Sequence, residues 1–105
     1  MAQQVVVVAV TTPAEGQHDA VRDALLEAVA AVHDEPGCER YALHERTDGA
    51  LVMIERWSSA EALDQHARGE HLVRLNAALE GRLAVPIDVT TMRSLPAGDA
   101  AKGAL

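Results

Sequence analysis

Trp57, the one tryptophan of the chain, closes the apolar run Leu51-Val52-Met53-Ile54-Glu55-Arg56 and is followed at once by Ser58-Ser59-Ala60-Glu61, a helix-start pattern. His66 and His71 stand on the helical stretch beyond it. Imidazole is the side chain best suited to exchanging protons near neutral pH. Glu55 lies two residues before the indole, among apolar strand positions. Burial there would raise its carboxyl toward the same range, unless a salt bridge to Arg40 or Arg46 holds it ionised. The indole is either a plug between sheet and helix or a flat pocket wall, and its N–H needs a partner when buried. A ring, two imidazoles and a carboxyl around one strand end point to a small-molecule pocket with acid–base chemistry, with His66, His71 and Glu55 as candidate catalytic residues.

His66 and His71 are five residues apart. On an unbroken helix they would diverge by about 140°, so they are not a paired metal site. Gly69, between them, is the place where a kink would change that geometry. No zinc-ligand spacing, phosphate-cradling glycine loop or nucleophile elbow is present, which predicts chemistry without a bound nucleotide, other cofactor or protein-ligated metal. Cys38 has no second cysteine to pair with and reads as a small buried hydrophobe.

The elements that must position these residues follow from apolar spacing. Residues 3–12 read as a strand, with the Val5–Val10 run apolar on both faces and therefore covered on both. Residues 17–34 read as a helix with Val21, Leu25, Ala28, Val29 and Val32 on one stripe, ended by Pro36-Gly37. Two strands, 38–46 and 51–57, flank the turn pair Asp48-Gly49. Ser58 as N-cap with Glu61 three residues on fits a capping box. The helix it opens runs to about Arg68, and a second piece carrying Leu72, Leu75 and Leu79 stops at Gly81. Residues 83–93 alternate as a last strand, where Pro86 requires an edge or a bulge.

The order βαββαβ predicts an α+β, ferredoxin-like antiparallel sheet with helices on one face. One domain spans residues 1–95, and 96–105 reads as a frayed tail. A two-residue hairpin loop would pair His44 with Met53, Ala42 with Glu55 and Arg40 with Trp57. That register sets His44, Met53, Glu55 and Trp57 on one side, and Tyr41, Leu43, Val52 and Ile54 on the other. His44, Met53 and Trp57 are thus candidate substrate contacts. Tyr41 is either a packing ring or a phenol for a ligand.

The second face of the sheet needs cover that two helices cannot give, and a second copy is the simplest source, so a homodimer is predicted. At 105 residues, 49% hydrophobic and with a formal charge of −7, the chain is a single modest core without a basic stripe. This argues against nucleic acid and anionic membranes as partners. The Val run is too short to span a bilayer and lacks the flanks of a signal peptide, which predicts a cytoplasmic protein.

Glu35-Pro36-Gly37-Cys38, Tyr41-Ala42-Leu43-His44, Glu55-Arg56-Trp57, Ala62-Leu63, His66 and Gly69-Glu70-His71 together resemble the antibiotic biosynthesis monooxygenase (ABM) domain family, over residues 3–93. The resemblance implies a dimeric α+β barrel with a pocket between sheet and helices. It also implies cofactor-independent oxidation of a phenolic or quinol-type molecule by O2, in which the substrate supplies the electrons once a proton is removed. On this sequence Trp57 would wall the pocket, His66 or His71 would position or deprotonate the substrate, and Tyr41 and Glu55 would be secondary polar groups. Haem-degrading relatives carry an Asn on the first strand, and residues 5–12 contain none. A non-catalytic small-molecule-binding dimer and an isomerase-type enzyme are the competing functions on the same fold.

Overall fold

The structure, a computed structural model, describes residues 3–105. Its elements are β1 (Val5–Thr11), α1 (His18–His33), β2 (Cys38–Glu45), β3 (Leu51–Trp57), α2 (Ala60–Ala67), α3 (Glu70–Leu79) and β4 (Asp88–Met92). They form one antiparallel sheet in the order β2-β3-β1-β4. This is the predicted ferredoxin-like arrangement, with the second helical region divided in two.

Alternation along β1 and β3 sorts the residues. Val7 faces Glu55 and Ala9 faces Met53 across the ladder, with Val5, Thr11, Leu51 and Trp57 on the same side. Every sheet residue of the core cluster belongs to this inner face, where Val21, Leu25 and Val32 of α1 and Leu75 and Leu79 of α3 close over it. Val8, Val10, Val52 and Ile54 point the other way, half-buried. Each buried Leu or Val contributes about 1.5–3 kcal/mol through removal from water. The inner face therefore dominates the stability of the single subunit.

The β2–β3 hairpin departs from the sequence-based register. Arg46 N–H donates to the Ala50 carbonyl at 2.8 Å, and Gly49 N–H donates to the Arg46 carbonyl at 2.9 Å. The loop is thus three residues, Thr47 to Gly49, with Gly49 at φ +92 and Asp48 Oδ1 accepting the Ala50 N–H. One extra loop residue moves β2 by one position and exchanges its faces. Tyr41 now pairs with Glu55, Leu43 with Met53 and His44 with Val52. Tyr41 and Leu43 join the inner face, and His44 goes to the outer one.

Two smaller differences have local causes. Ser59, not Ser58, caps α2: its backbone is extended and its side chain accepts the Ala62 N–H at 3.1 Å. Ser58 is occupied elsewhere, its N–H donating to the Gly37 carbonyl at 2.8 Å. The predicted strand over 83–93 shortens to β4, with Leu83 making a single bridge to Pro13 and Pro86 in the irregular stretch between, where its missing N–H costs nothing. From Arg93 onward no helix or strand forms.

Candidate functional site

A cavity of about 320 Å³ lies between the inner sheet face and the helices. Val7, Ala9 and Met53 floor it, Leu63, Leu72 and Leu75 roof it, and Ile87 and Val89 stand at its β4 side. The walls are aliphatic, and polar side chains enter at five points: Thr11, Tyr41, Glu55, His66 and Asn76. Ligand sites of this kind combine apolar walls with a few placed polar groups.

His66, 5% exposed, is the most buried imidazole of the site. Its ring stacks on Trp57, with centroids 4.6 Å apart and planes at 30°, and meets the Tyr41 ring edge-on at 5.6 Å. Its Nδ1 lies 2.9 Å from Glu35 Oε1. Among the described residues its Nε2 has no hydrogen-bond partner. Among the described residues no fully buried side-chain nitrogen or oxygen lacks a partner, so this atom keeps an open side, and His66 lines the cavity.

Glu55 is buried beside it, and its Oε1 accepts the Trp57 indole N–H at 2.9 Å. Neither Arg40 nor Arg46 reaches it: the Arg46 guanidinium is bonded to Asp48. Burial pushes the Glu55 carboxyl up from its ordinary value, and the indole N–H and the nearby His66 pull it part of the way back. Burial also pushes the Tyr41 phenol well up, reinforced by the negative charges of Glu55 and Glu35. Tyr41 therefore offers a protonated hydroxyl, and its backbone is pinned by His33, whose Nε2 donates to the Tyr41 carbonyl at 3.0 Å.

The remaining candidates take different places. Met53 lines the cavity floor. Trp57 is wholly buried behind His66 and does not line the cavity, so the indole backs the imidazole instead of forming the wall itself. His44 lies exposed on the outer sheet face, its Nδ1 3.1 Å from the Ala42 carbonyl, because the three-residue hairpin loop turned its strand over. His71 is 26% exposed and faces a separate hollow of about 200 Å³ between α1 and α3. Its Nδ1 lies 2.9 Å from Glu35 Oε2.

Glu35 is the residue that the site assignments from sequence missed. It sits in the turn after α1, and that turn is held by Gly37. Gly37 adopts φ +83, and a Cβ there would lie 2.5 Å from the Ala62 Cβ and 2.7 Å from Ser58 Oγ. The close approach presses the turn against the start of α2. The carboxylate can then reach His66 on α2 and His71 on α3. Gly69, as N-cap of α3, breaks the helix between the two histidines and redirects the second one. Asn76, one turn along α3 from Leu72, is the other unassigned polar residue of the cavity.

A family model described as antibiotic biosynthesis monooxygenase matches residues 4–78. Rv0793 of Mycobacterium tuberculosis, provisionally named a monooxygenase, is 33% identical over 96 residues, covering 90% of this chain and 95% of its own length. The solved structure of Rv0793 superposes with a TM-score of 0.84 at 32% identity, over 91% of this chain and 99% of that one. PA3566 of Pseudomonas aeruginosa superposes with a TM-score of 0.83 at 29% identity, over 90% and 97%. The matched span contains every polar cavity residue and Glu35.

Proposed function

Since the chain belongs to the antibiotic biosynthesis monooxygenase family, we propose that its cavity binds a one- or two-ring phenol or quinol and that His66 takes a proton from the substrate hydroxyl, so that O2 oxidises the resulting anion directly. The observation that carries this is a buried imidazole, bonded through Nδ1 only, lining a largely aliphatic cavity. An apolar, water-poor space by itself disfavours a phenolate, as it does that of Tyr41. The proton must therefore pass to a positioned base, and the imidazolium that forms beside the anion, together with the spread of the anion's charge over the ring, offsets the cost.

The substrate supplies the electrons. A quinol bearing one ring C–H, plus O2, gives a hydroxyquinone plus water: one oxygen atom forms the new C–O bond, the other leaves as water after O–O cleavage, and the ring is oxidised. Tyr41, whose hydroxyl stays protonated, is placed to donate to a ligand oxygen. The Glu55 carboxyl, raised by burial, is a second proton-exchanging group. Cavity size favours small rings, because about 320 Å³ is near the lower end of the roughly 300–1,000 Å³ of small-molecule sites.

The active form is a homodimer in which a second copy covers the outer sheet face. Val8, Val10, Val52 and Ile54 are paired there in two adjacent strands, half-buried and outside the core cluster. Substrate-dependent oxygen uptake with naphthoquinols tests the catalytic function. Turnover abolished by His66→Ala supports it. Binding of quinols with no uptake above the protein-free rate supports a binding protein instead.

A further inference from the structure

We propose that Glu35 is the positioning residue of this site: by holding His66 on one carboxylate oxygen and His71 on the other, it fixes the cavity imidazole as the tautomer whose lone pair faces the ligand. The inference rests on His66 being the cavity base, and it assigns a role to a residue that does not itself touch the cavity.

The two contacts are separate. Glu35 Oε1 is 2.9 Å from His66 Nδ1, and Oε2 is 2.9 Å from His71 Nδ1. A carboxylate only accepts, so each Nδ1 must carry the hydrogen. A neutral imidazole has one N–H, which leaves the lone pair on Nε2 of His66, a side chain that lines the cavity. The opposite tautomer would set a lone pair against a carboxylate oxygen in a nearly dry contact and present an N–H, not a base, to the ligand. Exposure is graded along the chain of groups: 5% at His66, 13% at Glu35 and 26% at His71. His71 is the outer anchor, and its bond to Oε2 keeps the carboxylate from turning away from His66.

Several backbone devices converge on this one carboxylate. The Gly37 turn, tied by Ser58 N–H, sets Glu35 against α2. The break at Gly69 brings His71 round to the same group; without it the two rings would diverge by about 140°. Other charged and titratable groups surround the trio. Glu55 and Tyr41 face His66 from the sheet, Cys38 follows the Glu35 turn, and Glu27 and Arg74 share the hollow of His71. None of them is hydrogen-bonded to either imidazole, so the tautomers depend on Glu35.

The test is nitrogen NMR of histidine-labelled protein at about pH 9, above the usual imidazole range. Long-range proton–nitrogen correlations there report which ring nitrogen holds the hydrogen. In the wild-type chain both rings should be Nδ1–H. Glu35→Gln offers one acceptor and one donor in the same volume, so at least one ring should change to the Nε2–H form. In Glu35→Ala the His66 ring should lose its Nδ1–H preference, and kcat for any oxidised quinol should fall by about 10- to 100-fold with KM little changed. Wild-type His66 protonated on Nε2 would overturn the proposal. So would unchanged His66 tautomer in a folded Glu35→Ala chain, judged by its amide spectrum. The NMR result needs no turnover, so an inactive protein with the predicted tautomers would defeat the catalytic function alone.

Discussion

The indole N–H of Trp57 donates to Glu55 Oε1 across 2.9 Å, between two residues on one face of β3. Both side chains are buried, so the single donor of the indole is spent on the carboxyl and not on a ligand. The same ring stacks on His66. Trp57 thus contacts both the buried carboxyl and the buried imidazole of the cavity.

Trp57→Phe keeps an aromatic face for His66 but removes the donor. Glu55 Oε1 is left unsatisfied in a buried place, which costs about 1–3 kcal/mol. Urea denaturation should show that loss, and the Glu55 carboxyl should titrate higher still, observable by carbon NMR of the labelled carboxyl. An unchanged Glu55 titration would mean that the indole contact does not act on the carboxyl.

Glu55 makes stability depend on pH with a definite sign. Its carboxyl is raised in the folded chain, chiefly by burial, so the folded state binds the proton more tightly than the unfolded one. The contribution is complete below the unfolded carboxyl's range and is lost as pH rises through the folded value. Glu55→Gln, whose amide oxygen can still accept the indole N–H, removes this dependence. Relative to wild type, its stability should improve from pH 4 to pH 7. A difference that is flat over this range would contradict the assignment.

Gly37 and Gly16 share a positive φ, +83 and +78, but differ in surroundings. At Gly16 nothing lies within 4 Å of an added Cβ, so Gly16→Ala should cost only the backbone term, about 1–2 kcal/mol. Gly37→Ala adds a collision with Ala62 and Ser58 and should cost about 3 kcal/mol or more. Thermal unfolding of the pair measures the difference. Equal losses would show that the turn does not press on α2.

The outer sheet face supplies a prediction about assembly. Val8 and Ile54 are cross-strand partners there. The wild-type chain should sediment as a dimer at micromolar concentration, and Ile54→Arg, which would place a charge in the covered face, should sediment as a single subunit. A wild-type chain that remains a stable single subunit would remove the dimer from the account.

The order of strands and helices along the chain was legible because their apolar periods are long and unmixed: the Val5–Val10 run, the Val21–Val32 stripe and the Leu72–Leu79 repeat. The β2 face was not. Asp48-Gly49 suits both a two- and a three-residue loop, and one residue decides whether Tyr41 or His44 turns inward. Met53 and Glu55 share a strand face with Trp57 and could be placed beside it, but nothing in the sequence separated His66 from His71 as the inward imidazole. Glu35 was hidden because its contacts are 31 and 36 residues away in sequence and depend on two glycines bending the chain toward one point. No local pattern carries that information.

The central claim is that His66 deprotonates a ligand held in the cavity, and oxygen consumption measured alongside binding tests it most directly. Trp57, stacked on His66, is the chain's only tryptophan, so its fluorescence reports occupancy of the cavity independently of turnover. With a naphthoquinol, the wild-type protein should consume O2 above the protein-free rate. His66→Ala should still bind, by the fluorescence change, but lose about 10²- to 10⁴-fold in kcat. Uptake by His66→Ala at the wild-type rate would contradict the account, as would wild-type protein that binds the quinol and consumes no oxygen.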